Sequence, residues 1–400
     1  MIHPWMAGFA WAIAAAWVYK LLEAATGFPK VPNLLEAKYA GSPQATPCVV
    51  AIVPARNEEA SVGECVHSLL RQDYEALRVI AVNDRSTDGT GAVLDSLQAE
   101  NREKLQVIHV RELPGGWLGK THAMATAARE ATAAEQMPAY LLFTDADVVF
   151  TPDAVRRALN CALQTRADHF VLMPTTIAKS MGEGMVLSYM QTMSLWAMRP
   201  WRVPDPRAMR DAIGVGAFNL VRTDAYKKIG GFEATPMEVL EDLYLGRRIK
   251  WSGLRQMVAV GPGMASVHWA AGALGILHGT TKNIFATFRF RPWLLLAAAA
   301  WVAAFSIAPV VWLAIPGDRA AGGIALAAVA GTYALSSRVS RLSPLYALFF
   351  PVASAMVVYA MLRSMFVTLR RGGVTWRGTF YRLADLRLYM VKRPEQWKGR

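Results

Sequence analysis

Residues 140–150 read YLLFTDADVVF, an apolar run that ends in two aspartates, Asp145 and Asp147, with only Ala146 between them. A strand sends residues i and i+2 to the same face, so this spacing predicts two carboxylates presented together. Like charges that close repel unless a cation sits between them. The alternative is that one aspartate caps the helix that begins at TPDAV, residues 151–155.

Polar residues also close two earlier apolar runs. ARNEE follows CVVAIVP, and NDRSTDGT follows LRVIAV. Glu58 is a candidate for contact with a nucleobase or ribose, and Asp84 for accepting a hydrogen bond from the N3 imide of uracil. Ser86, Thr87 and Asp88 read instead as the cap of the next helix. LPGGWLGKTHAM adds Gly115, Gly116 and Gly119 ahead of Lys120 at a helix start. A lysine beside free helix amides suits a diphosphate, although no full phosphate-loop motif is present and a simple turn reads as well.

These residues need a scaffold. CVVAIVPARN, LRVIAVND, LQVIHV and AYLLFTDAD are short Val-, Ile- and Leu-rich runs, and each of the first three leads into a segment of helical character. Such alternation predicts an α/β fold with a mostly parallel sheet, helices on both faces and ligands beyond the carboxyl ends of the strands.

The 400 residues are 54% apolar, with a mean hydropathy of +0.22. Residues 1–19, 292–317, 320–337 and 342–362 carry no Asp, Glu, Lys or Arg. A spanning helix needs about 20 such residues, so the second and fourth runs qualify, the first is adequate and the third is short. The expected organisation is an N-terminal membrane helix within 1–22, a soluble domain over 46–285, two to three membrane helices within 292–363 and a basic tail over 364–400. In the first run the basic residue Lys20 follows the apolar stretch, which is the reverse of a cleaved signal. With Lys30 and Lys38 it predicts that the soluble domain is cytoplasmic. Cys48, Cys65 and Cys161 have no metal-ligand spacing and fit a reducing compartment. The net charge of +13 is concentrated after the last apolar run, where basic residues meet anionic lipid headgroups, and nucleic acid is not the expected partner. An N-terminal anchor followed by three crossings would leave that tail outside against its charge, so one late run, 342–362, is expected to be re-entrant or interfacial.

In order, PARNEE, NDRSTDGT, GWLGKTHAM, TDADV, GAFNLVRTDAYKKIGGF and EVLEDLYLGRRIKWSG resemble the motifs of family 2 glycosyltransferases with the GT-A fold. The membrane-bound branch with hopanoid-associated and carotenoid-glycosylating enzymes is the most similar, and its members also have counterparts of RGGVTWRGTFY. The resemblance implies that Asp84 binds uracil, that Lys120 lies near the nucleotide, and that Asp145 and Asp147 form a DxD site. That site would hold a UDP-sugar through Mg2+ or Mn2+, hard cations that prefer oxygen ligands. It also implies that Asp242 is the general base, with Glu241 beside it. Processive synthases of the family carry Gln-x-x-Arg-Trp after the base, where this chain reads GMASVHWAAG. The substitution points to transfer of one sugar, and it places His268 as a candidate further metal ligand or a merely packed residue.

Residues 179–206, rich in Met and Trp, suit an irregular apolar acceptor, or equally a buried helix. TKNIFATFRFRPW reads as an interfacial helix. The resulting expectation is an inverting transferase acting on a lipid hydroxyl or carboxyl, the alternatives being a processive synthase or a non-catalytic scaffold. The sugar, the lipid and the oligomeric state are left open by the sequence.

Overall fold

In the computed structural model, which describes residues 4–43 and 45–390, the run CVVAIVPARN supplies β1 (Val49–Ala55), buried along its length except at Pro54. Alternation explains this. Val49, Ala51 and Val53 face a core with Val62, Val66 and Leu94, while Val50 and Ile52 face a second core with Ala123, Ala127 and Ala128. Each fully buried valine or isoleucine contributes about 1.5–3 kcal/mol, so charge is tolerated only past the strand's end, where Arg56 and Glu58 lie.

β2 (Leu77–Asp84), β3 (Leu105–Val110) and β4 (Tyr140–Phe143) extend this sheet in parallel, with Val49 opposite both Leu77 and Tyr140. The chain then adds β5 (Val148–Phe150), β6 (His169–Met173), β7 (Thr175–Thr176), β8 (Asn219–Arg222), β9 (Gln256–Val260) and β10 (Ala265–Val267). The main sheet has seven strands in the order β3-β2-β1-β4-β8-β6-β9. Only β8 runs against its neighbours β4 and β6, so the sheet is mostly parallel as expected. A small second sheet holds β5, β10 and β7. The last strands, β11 (Gly373–Trp376) and β12 (Thr379–Arg382), form a hairpin of their own.

Two compact units result. The sheets and their helices make up Val31–Thr175, Trp201–His268 and Thr375–Arg400. Met1–Lys30, Thr176–Pro200 and Trp269–Val374 form a helical unit, so 176–200 and 269–285, read within the soluble domain of 46–285, group with the helices. Among the described residues three helices are long and apolar enough to cross a membrane: Pro292–Trp312, Arg319–Ser340 and Pro344–Arg371. The second is longer than its charge-free run because the helix takes in Arg319 and Arg338. The fourth run opens in a 3-10 helix, Pro344–Phe349, and continues into a helix unbroken from Phe350 to Arg371, nine residues past the run's end. The N-terminal helix, Pro4–Gly27, outruns its apolar stretch and is not among the three. Lys20 lies inside it rather than flanking it, buried, 2.6 Å from Glu23 and over the Trp196 ring.

The Met-rich segment forms helix Met181–Ala197, whose Val186, Tyr189 and Leu195 are buried. Tyr189 pairs with Ser306 at 2.9 Å, so most of this helix is core of the helical unit, and Met181 alone among its methionines is strongly exposed. The stretch TKNIFATFRFRPW is not one helix: it stops at Thr287, and Arg289 and Phe290 turn left-handed.

Candidate active site

The polar residues expected at the carboxyl ends of β1, β2 and β4 do gather there, though not always by the route the sequence suggests. Asp145 and Asp147 are not on a strand. β4 ends at Phe143 and β5 begins at Val148 in the other sheet, so the pair occupies the turn between sheets. The carboxylates remain neighbours: burial, then the charges of Asp145 and Glu58, push the Asp147 carboxyl up to about 6. The capping alternative fails, because the following helix starts at Ala154 with Asp153 in its N-cap position.

Lys120 is the second residue of helix Gly119–Ala133. Its Nζ lies 2.5 Å from Asp145 Oδ1 and 2.6 Å from Glu241 Oε1. Burial alone would lower its pKa, but Asp145, Glu241 and Asp242 outweigh that and hold it well above the ordinary lysine value. A fixed cation therefore joins the turn after β4 to the start of helix Glu241–Trp251.

Asp242, partly buried in the first turn of that helix, accepts from Gly216 N–H at 2.8 Å through Oδ2 and from Leu243 N–H at 2.7 Å through Oδ1. Burial and then the Glu241 charge push its carboxyl up to about 7. The helix buries Tyr244, Leu245 and Ile249, whereas Leu240 and Leu243 are only partly covered.

Glycines 214 and 216 were not singled out in the sequence, though Gly-x-Gly in AIGVGAF was there to be seen. A Cβ on Gly216 would stand 2.3 Å from Asp145 Oδ2, and one on Gly214 would stand 1.7 Å from the Asp242 carbonyl oxygen. Their bare backbones let both carboxylates close on one loop.

Asp84 is buried, and its two oxygens accept from Arg85 Nε at 2.8 Å and Nη2 at 3.0 Å, a partner the sequence reading passed over. A Cβ on Gly119 would lie 2.3 Å from Asp84 Oδ2, so Asp84 sits against the start of the Lys120 helix. Glu58 accepts from Ser61 Oγ at 2.9 Å and from the Arg377 guanidinium. The N-cap position of the helix Thr90–Glu100 is Gly89, so none of Ser86, Thr87 and Asp88 holds it; Asp88 instead accepts from Thr90 N–H at 3.1 Å across the turn, while Asn57 Oδ1 accepts from Thr87 N–H at 2.8 Å and ties the two loops together. β10 runs antiparallel to β5 with Val267 opposite Val148, which brings His268 opposite Asp147 in register. Among the described residues no three His, Cys, Asp or Glu side chains form a ready-made metal cage.

Residues 50–230 match the family model for glycosyl transferase family 2. The chain carries a family 2 glycosyltransferase domain. It is 27% identical over 344 residues to 4,4'-diaponeurosporenoate glycosyltransferase of Staphylococcus aureus, covering 83% of this chain and 88% of that one. Its fold is similar to the mannosyltransferase PcManGT from Pyrobaculum calidifontis in complex with GDP-Man and Mn2+, with a TM-score of 0.54 at 19% identity over 90% of this chain and 98% of that one. The sheet is thus of the GT-A kind, and the protein is an enzyme, a glycosyltransferase.

Proposed function

We propose that this glycosyltransferase moves a single sugar from a UDP-sugar to a lipid-type acceptor at a membrane, with inversion at the anomeric carbon and Asp242 as general base. One observation carries the reading: Lys120 bridges Asp145 and Glu241, and Asp242, next to Glu241, is held on the same loop by the Gly216 and Leu243 amides. Burial and the Glu241 charge raise its carboxyl toward neutrality. A base poised near the working pH is the effective kind. Asp242 takes the proton of an acceptor hydroxyl as that oxygen attacks the anomeric carbon, and the bond to the diphosphate breaks on the opposite side. Backbone donors from Gly216 and Leu243 fix the carboxylate while leaving lone pairs for the acceptor.

Asp145 and Asp147 fit a divalent cation. Their oxygens are hard ligands, and burial together with the neighbouring Asp145 and Glu58 charges raises the Asp147 carboxyl, which a bound cation would relieve. Mg2+ or Mn2+ bound there would neutralise the leaving diphosphate. His268 is proposed as a further ligand. Glu58 and Asp84 are assigned to the nucleoside, and Lys120 to the diphosphate edge.

The relative's name supports an apolar acceptor, and the Mn2+ in the PcManGT complex supports a metal-borne donor. That complex holds GDP-Man, so the base of the donor is the point to test first. Membrane attachment is supported by the three long apolar helices, and a cytoplasmic site by Lys30, Lys38 and the free cysteines. Purified full-length protein is offered UDP-sugars and GDP-mannose, and nucleoside diphosphate release is read with and without a lipid extract. Release from a UDP-sugar that rises with lipid, giving a product bearing one sugar, is expected. Turnover of GDP-mannose alone, or a glycan polymer, would overturn the proposal.

A further inference from the structure

The chain after the last apolar helix returns to the sheet unit and closes on the two loops assigned to the donor. β11 and β12 are joined by Arg377 and Gly378, with φ of 46° and 77°, the left-handed pair of a two-residue hairpin turn. Arg377, at the tip, donates from its guanidinium to Glu58 and approaches the Asn57 carbonyl at 3.5 Å. Period-two alternation turns Tyr381 inward, 8% exposed, and Arg382 outward. The Tyr381 hydroxyl accepts from Gly119 N–H at 3.2 Å, and the ring end also meets Arg85, the partner of Asp84. Further along, Leu383 and Leu386 are buried, and a Cβ on Gly116 would touch the Tyr389 hydroxyl at 3.4 Å.

We infer that this hairpin is a clasp on the donor site, in which Tyr381 and Arg377 are positioning residues for nucleoside diphosphate binding; the inference rests on the donor reading above. Gly119 N–H is one of the amides at the start of the Lys120 helix that have no acceptor within the helix, and by accepting from it Tyr381 fixes the direction in which that start faces. Arg377 offsets the Glu58 charge, one of the charges acting on Asp147, and so lowers the repulsion an incoming diphosphate meets.

The test uses the full-length protein in detergent micelles, with UDP and GDP titrated in the presence of Mn2+ and donor kinetics measured alongside. Tyr381→Phe removes one hydrogen bond and is expected to raise the UDP Kd and donor KM about three- to tenfold, with kcat and acceptor KM within about twofold of wild type. Arg377→Gln behaves alike, with a defect that shrinks at high salt, and Arg382→Ala, on the outward face, changes neither. Normal UDP binding by both Tyr381→Phe and Arg377→Gln overturns the clasp while leaving the donor reading standing. Failure of the wild type to bind either nucleotide removes the donor reading, and the clasp with it.

Discussion

Replacing Gly216 by alanine should disable transfer without unfolding the protein. The new methyl would lie 2.3 Å from Asp145 Oδ2 and 3.0 Å from its Cγ. A relaxed carbon–oxygen contact is about 3.3 Å, so the carboxylate must retreat by roughly 1 Å. Its other oxygen holds Lys120 at 2.5 Å, and the amide of residue 216 itself donates to Asp242, so the retreat disturbs both sides of the site. Misplacement by about 1 Å costs on the order of 100-fold in rate. Stability should change little: Asp145 is 37% exposed, and an ion pair that open contributes about 0–1 kcal/mol. Gly214→Ala is the contrast, because its methyl would fall 1.7 Å from the backbone oxygen of residue 242, which cannot swing aside. Folded protein, rather than rate, should be lost there. Steady-state transfer measured beside thermal unfolding tests the pair. Gly216→Ala with kcat/KM within about threefold of wild type, or with a Tm loss as large as that of Gly214→Ala, would refute the reasoning.

Asp242→Asn should keep UDP affinity and lower kcat about 100-fold or more, and the rise in wild-type rate with pH through about 7 should vanish in the variant; retained turnover would reassign the base. Chelation with EDTA should abolish donor binding in calorimetry, and Asp147→Ala should mimic it. Because Asp147 is protonated below about 6, Mn2+ affinity should fall as pH drops through that value. Buried His169, bonded to Asn219 at 3.1 Å and Gln256 at 2.8 Å, is held neutral with its pKa down to about 4. Its folded pKa lies below the unfolded one, so the unfolded chain takes the proton first and stability falls by about 3 kcal/mol as pH drops from 6.5 to 4. Asp147, raised rather than lowered, acts in the opposite sense, so denaturation of wild type is compared with His169→Gln, whose pH profile should lack the His169 component. A cysteine in place of Leu388, 76% exposed, in a Cys48→Ser background should react with an impermeant maleimide only after cells are permeabilised.

Much of the fold was legible because burial writes itself into composition. β1, β2 and β4 are near-continuous apolar runs, and their carboxyl ends carry the charges that burial excludes. β8 was not seen as a strand: NLVR is four residues inside a motif with helix-like neighbours, and its antiparallel pairing is decided by distant β4 and β6. Asp145, Asp147 and Lys120 were singled out by type and spacing, and Asp242 through the resemblance to the family's motifs; the fold brings Lys120, Asp145 and the start of the Asp242 helix together. Strand alternation gave the wrong reason for the aspartate pair, since the chain leaves one sheet for another between Phe143 and Val148. Arg85 was passed over although its partner Asp84 is the preceding residue. Gly216 and Tyr381 act through partners that only the folded chain brings near, Tyr381 from 262 residues away.

The hairpin also constrains how the chain threads a bilayer. It leaves the sheet unit after His268 and rejoins it at Thr375, and the bonds from Arg377 to Glu58 and from Gly119 to Tyr381 are internal to that unit. A folded domain stays on one face of a membrane, so departure and return share that face. Whatever number of complete crossings lies between them must then be even. Three helices in that interval are long enough to cross. If these helices enter a bilayer, parity allows at most two of them to cross it completely.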